Sequence, residues 1–239
     1  MNRQAQAAVL FLIGAAVLHA GFTDLYLRYV KEGLRPLLLA AGVVLIVTAL
    51  ATVRYERRRP QQDDGGDGHT HREPRIAWLL VLPLFALILV APPALGSYSA
   101  THTGTALTKP FAYPALPTTD PLPLSLVDYA GRAAYDHGRS LGDRRLEVTG
   151  FLALDRDGTP YLVRMALNCC AADAQPVKIG LTGDIPPVLQ PDTWLQVTGT
   201  YTAKRTKDPV NDGIIPFLDV AEAKPVPAPR DPYDESWNQ

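Results

Sequence analysis

The chain has 239 residues, is 47% hydrophobic and carries a formal net charge of −1. That small charge hides an asymmetry: residues 1–96 hold ten Lys and Arg against seven Asp and Glu, and residues 97–239 hold thirteen against seventeen. An acidic second half excludes nucleic acid as a partner, because phosphates demand a basic surface.

Three apolar runs come first: "AAVLFLIGAAVLHAGFTDLYL" at 7–27, "LLLAAGVVLIVTALATV" at 37–53 and "IAWLLVLPLFALILVAPPALG" at 76–96. Each is about as long as the roughly 17–25 residues that cross a bilayer. They predict three transmembrane helices over residues 1–96, with the lipid bilayer as the first partner. A cleaved signal fits the first run poorly, since only Arg3 precedes it.

The connection at 54–75 holds Arg54, Arg57, Arg58, Arg59, Arg72 and Arg75, against Arg28, Lys31 and Arg35 in the connection before it. The positive-inside rule therefore places 54–75 in the cytoplasm and everything after Gly96 outside it, giving a multi-pass protein of the cell membrane with an extracytoplasmic C-terminal part. His19 and Asp24 lie in or near the first span, about 140° apart at roughly 100° per residue, so they share no helix face. The centre of the cytoplasmic loop, "DDGGDGHTH", offers Asp63, Asp64, Asp67, His69 and His71 to a loosely held cation, or is a polar linker.

Residues 97–123 contain Pro110, Pro114, Pro117, Pro121 and Pro123, which predicts an extended spacer. Residues 124–228 are read as a small β domain led by a short amphipathic helix that stops before Gly142. "RLEVTGFLALD" alternates with period two, Asp157-Gly158 marks a hairpin, and "PYLVRMAL", "PVKIGLTG", "TWLQVTGTYTA" and "IIPFLDVAEAKPV" supply four further strands. "LEVTGFL" and "LQVTGTY" each place a glycine inside a strand, the mark of a sharp bend, and five bent strands predict an OB-like β-barrel. The predicted class is thus membrane α plus β. Residues 229–239 are read as a tail. "KRTK" at 204–207 is read as a solvated hairpin loop.

The two cysteines, Cys169 and Cys170, are adjacent, and Asp173 follows them. Three readings stay open. The thiolates and the carboxylate hold zinc or another soft or borderline divalent metal, with His102 or His137 completing the set. Alternatively the pair forms a strained, reducible disulfide. In the third reading, both side chains pack near a barrel seam. No Ser/His/Asp order, phosphate loop or paired-carboxylate motif points to an enzyme.

The layout resembles a YcgQ-like bacterial family of membrane proteins regarded as permease subunits. The resemblance rests on the N-terminal spans, "DDGGDGHTH", "CCAADAQPV" and "WLQVTGTY", and covers nearly the whole chain. It implies a non-enzymatic accessory subunit of a multi-spanning permease, with Cys169, Cys170 and Asp173 as signature positions. The outer β domain would bind solute or partner, and the solute would be a metal ion. The competing function is a membrane-anchored thiol–disulfide protein using the adjacent cysteines.

Overall fold

The computed structural model describes residues 3–58, 90, 92–185 and 190–235. They fall into two compact units, one containing the N-terminal helices and one formed by Leu27–Lys31 together with the chain from Ala94 onward.

In the first unit, helix α1 spans Arg3–Phe22 and helix α2 spans Arg35–Arg58. Both are long and apolar enough to cross a membrane. The first helix stops short of the expected 7–27: Thr23 caps its end by donating to the His19 carbonyl at 3.0 Å, and Asp24–Arg28 continues as a 3-10 turn. Asp24 is therefore outside the helix, while His19 is in its last turn. The second helix runs past Val53 to Arg58. The two helices pack where side chains are smallest. A Cβ on Gly14 would stand 3.1 Å from the Gly42 carbonyl oxygen, and one on Gly42 would stand 2.8 Å from Leu18. Such close approach is how helices associate without a hydrophobic driving force between them. Two candidate spans are described where three were expected. Most of the third run, 76–96, lies outside the described residues, as does the Asp/His stretch at 63–71.

The second unit is built on a five-stranded β-barrel. Its strands are β2 (Leu146–Leu154), β3 (Pro160–Leu167), β4 (Gln175–Gly183), β5 (Trp194–Lys207) and β6 (Ile214–Pro225), preceded by β1 (Leu122–Leu124) and followed by β7 (Tyr233–Glu235). The pairing runs β2–β5–β6–β4–β3 and closes through β3 onto β2. All contacts around the ring are antiparallel except β4 with β6. Alternation sets the inside: Leu146, Val148, Leu152, Leu195 and Val197 are buried, as period two requires.

The two glycines of the repeated Val-Thr-Gly phrase act through close contact, not through unusual dihedrals. Gly150 lies where β2 changes neighbour, between the Leu146–Val148 stretch paired with β1 and the Phe151–Leu154 stretch paired with β3. A Cβ there would stand 2.8 Å from the Val163 carbonyl oxygen. Gly199 sits at a bulge between β5 and β6, with its Cα against the Asp219 carbonyl.

Helix α3 (Ser97–His102) and helix α4 (Leu126–Tyr135) complete the unit. Ser125 caps α4 by accepting the Asp128 amide at 3.0 Å. The buried residues Leu126, Tyr129 and Ala130 face the barrel, and Tyr129 donates to the Phe217 carbonyl at 2.5 Å. The helix ends well before Gly142, because His137 and Gly138 adopt positive φ directly after it. Residues 97–123 are more than a spacer. They begin with α3, end in β1, and are pinned between by buried Arg132, which donates to the Pro114 carbonyl at 2.9 Å. The expected tail carries β7, whose Asp234 pairs with Arg164 at 2.9 Å.

Candidate functional site

Strand β3 ends at Leu167 and β4 begins at Gln175, so the two cysteines occupy the hairpin between them. Ala171–Asp173 forms a single 3-10 turn within it. Asp173 organises this hairpin. Its Oδ1 accepts the Asn168 amide at 3.1 Å and the Cys170 amide at 3.4 Å, and its Oδ2 accepts the Cys169 amide at 2.9 Å. The Cys169 thiol also hydrogen-bonds to this carboxylate. Three backbone amides thus converge on this carboxylate.

The ligand atoms of Cys169, Cys170 and Asp173 lie within 4.8 Å of one another. Both thiols are free, Cys169 exposed and Cys170 half-buried. The hydrogen bond to Asp173, the Cys170 neighbour and partial burial push the Cys169 thiol up to about 12. Burial pushes the Asp173 carboxyl up, but the bonds from the Cys169 thiol and from the three amides outweigh it and hold the group below the ordinary carboxylate range. The hairpin therefore presents, near neutral pH, a carboxylate beside a protonated Cys169 thiol. A divalent ion can replace that proton, since thiolate and carboxylate are both ligands for zinc. The grouping draws in neither His102 nor His137. His102 stacks on Tyr98 at 4.2 Å between ring centroids, and its Nδ1 lies 2.8 Å from the Tyr98 carbonyl oxygen. His137 holds the turn after α4.

The segment Leu27–Lys31 reaches the same hairpin. Val30 and Cys170 form an antiparallel bridge, flanked by the Lys31 amide donating to the Cys169 carbonyl at 3.2 Å and the Ala171 amide donating to the Tyr29 carbonyl at 2.7 Å. Tyr233 on β7 anchors the segment by donating to the Arg28 carbonyl at 3.0 Å, and its hydroxyl accepts the Leu95 amide at 3.2 Å. No sequence pattern marks this contact, because one bridged pair has no period.

A cavity of about 700 Å³ opens elsewhere on the barrel, lined in part by His102, Asp155, Tyr161, Lys178 and Ile215. Beside it the Lys178 ammonium donates to Asp208 at 2.7 Å and to the Thr103 carbonyl at 2.9 Å. Asp208, fully buried, also accepts the Thr105 and Val210 amides at 2.9 and 2.8 Å. A lysine between Val177 and Ile179 in a buried strand was the available signal for this pair, since such a charge is rarely buried without a partner.

Residues 132–234 match the family model of the DUF1980 C-terminal domain. No curated protein and no solved structure matches the chain. The matched stretch runs from α4 to β7 and takes in both cysteines and Asp173, so the part of the chain that carries the thiol hairpin is similar to the DUF1980 C-terminal domain.

Proposed function

We propose that the chain is a membrane-anchored, non-enzymatic accessory subunit of a permease. Its barrel unit captures zinc or another soft or borderline divalent cation at Cys169, Cys170 and Asp173 for transfer to that partner. The observation that carries this reading is the convergence of two sulfurs and one carboxylate within 4.8 Å on a single braced hairpin. Two sulfurs favour a soft or borderline ion over magnesium or calcium. Three donors leave the fourth position of a tetrahedral ion open, which suits hand-over better than permanent storage.

Chain connectivity supports a multi-pass arrangement. Leu27–Lys31, between α1 and α2, belongs to the same unit as the barrel. If both helices cross the bilayer, one further span is needed to bring the chain back to the side of Leu27–Lys31. The apolar run at 76–96 supplies that third span, and the positive-inside rule puts the barrel outside the cytoplasm. The barrel itself is read as OB-like. Numbered in chain order, its five strands pair 1-2-3-5-4-1 with the third and fifth parallel, although α4 precedes the barrel instead of interrupting it.

The competing thiol–disulfide role needs an attacking thiolate near neutral pH. Asp173 works against one at Cys169. Metal analysis of the purified full chain, with thiol titration beside it, tests the proposal. Wild type should bind an ion, and Cys169→Ser and Cys170→Ser should each lose most of it. A double Cys→Ala variant that binds as much metal as wild type would sink the reading.

A further inference from the structure

We propose that the thiol site is assembled from two distant parts of the chain, and that Leu27–Lys31 is the wall that holds Cys170 in place. The backbone accounting on the hairpin carries this. Cys169, Cys170 and Ala171 have six backbone polar groups between them. The amides of Cys169 and Cys170 go to Asp173. The carbonyls of Cys170 and Ala171 accept the amides of Asp173 and Ala174. The remaining two, the Cys169 carbonyl and the Ala171 amide, are satisfied by Lys31 and Tyr29. These two bonds sit on either side of Cys170 and hold it extended, at φ −154° and ψ 168°. Val30 lies opposite it in a pair of the non-hydrogen-bonded kind, in which the two side chains stand closest. Unpaired backbone groups are costly to leave beneath a packed segment, so the hairpin conformation and the seating of Leu27–Lys31 favour each other.

Two anchors seat the segment. Leu27 is buried, 2% exposed, and the Tyr233 hydroxyl holds the Arg28 carbonyl. Tyr233 is thus a positioning residue for Cys170, acting through the segment. The consequence concerns the site's composition: the barrel strands and their hairpin alone do not make it. The connection between α1 and α2 is part of the binding site, so whatever moves that connection also changes the geometry of the thiols. That the site's ligand is a metal ion rests on the function proposed above; the seating of the segment does not.

The test uses the full chain in detergent, with Cd²⁺ as the metal probe, read by its ultraviolet thiolate charge-transfer band, and iodoacetamide as the thiol probe. Lys31→Pro deletes the amide that reaches the Cys169 carbonyl, and proline suits an extended residue before it. Tyr233→Phe removes only the anchoring hydroxyl. Each should speed alkylation of Cys170 about fivefold and weaken Cd²⁺ binding by a similar factor, the worth of one hydrogen bond. Alkylation of Cys169, already exposed, should change by less than about twofold, and amide protection in β4 and β6 should stay as in wild type. Unchanged Cys170 alkylation in Tyr233→Phe overturns the proposal, even if Lys31→Pro fails to fold. Wild type that binds no Cd²⁺ while both variants expose Cys170 would refute the metal reading and uphold the two-part site.

Discussion

Replacing Asp173 by alanine should make Cys169 react faster with alkylating reagents, and the structure sets the size of the effect. Cys169 is exposed, so access does not limit its reaction. Its thiol is held at about 12, against an ordinary 9.0, first by the hydrogen bond to Asp173. The sign follows: a proton held more tightly means less thiolate at any given pH below 9, and removing the carboxylate restores it. Full release would raise the thiolate share at pH 8 about a thousandfold. A thiol of lower pKa is also a weaker nucleophile, with a Brønsted coefficient of about 0.4–0.5, which takes back nearly half of that gain on a logarithmic scale. That sets a ceiling of about thirty- to sixtyfold, and Asp173→Ala should fall below it because the Cys170 neighbour also holds the thiol up. Timed iodoacetamide labelling at pH 8, quantified by mass spectrometry on the peptide that contains both cysteines, measures it residue by residue. Asp173→Asn, which keeps an acceptor but not the charge, should fall between wild type and alanine. An acceleration below about threefold, or one confined to Cys170, would refute the account of Asp173 as the group that holds the Cys169 proton.

Three further outcomes test the frame around the site. Asp208→Ala strands a buried ammonium and the buried Thr105 amide, and should cost about 3–5 kcal/mol in urea unfolding followed by circular dichroism, with Lys178→Met added to it recovering part of the loss. Gly150→Val and Gly199→Val should each destabilise by about 1–3 kcal/mol or prevent folding, because their side chains would meet the carbonyls of Val163 and Asp219; tolerance at both would mean the barrel seams are looser than described. A reporter active only in the cytoplasm should be active when fused after Gln62 and silent after Gln239, and the opposite pattern would reverse the topology.

Local pattern made part of this molecule legible and non-local pairing hid the rest. The strands showed because alternation at Leu146, Val148 and Leu152 is a short-range property. The two Val-Thr-Gly phrases pointed to tight places in the barrel for a reason that needed revision. The expected cause was backbone freedom, yet among the described glycines positive φ belongs to Gly138, Gly142, Gly158 and Gly183, while Gly150 and Gly199 do without it and lack room for a side chain. Cys169, Cys170 and Asp173 were legible as a group because they are sequence neighbours in one hairpin. The histidine partners expected for them were guesses across long sequence separations, and neither joins the group. Tyr233 and Val30 escaped notice for the same reason in reverse: the first lies in a stretch read as a tail, the second inside the connection between two apolar helices. Helix α3 was missed because five prolines dominated the reading of 97–123, although the first of them, Pro110, comes after the helix has ended.

The same carboxylate that braces the hairpin gives ion binding at this site a definite pH dependence. An ion bound to Cys169 as thiolate expels the proton that Asp173 helps to hold. With that thiol at about 12, the site starts protonated at Cys169 across the whole range in which the protein would work. Every step down in pH then favours the proton over the ion, by about tenfold in apparent affinity per pH unit for each proton displaced. A carboxylate-only site would behave differently, since a group already ionised at pH 6 gives no further slope above it. Cd²⁺ titrations of the full chain at pH 6, 7 and 8 separate the two. A rise in affinity of about tenfold or more per unit assigns the binding to thiolate sulfur, and Cys169→Ser should lower the slope by about one proton. A pH-independent affinity over the same range would show that the ion does not displace the Cys169 proton, and capture at the thiol hairpin would have to be abandoned.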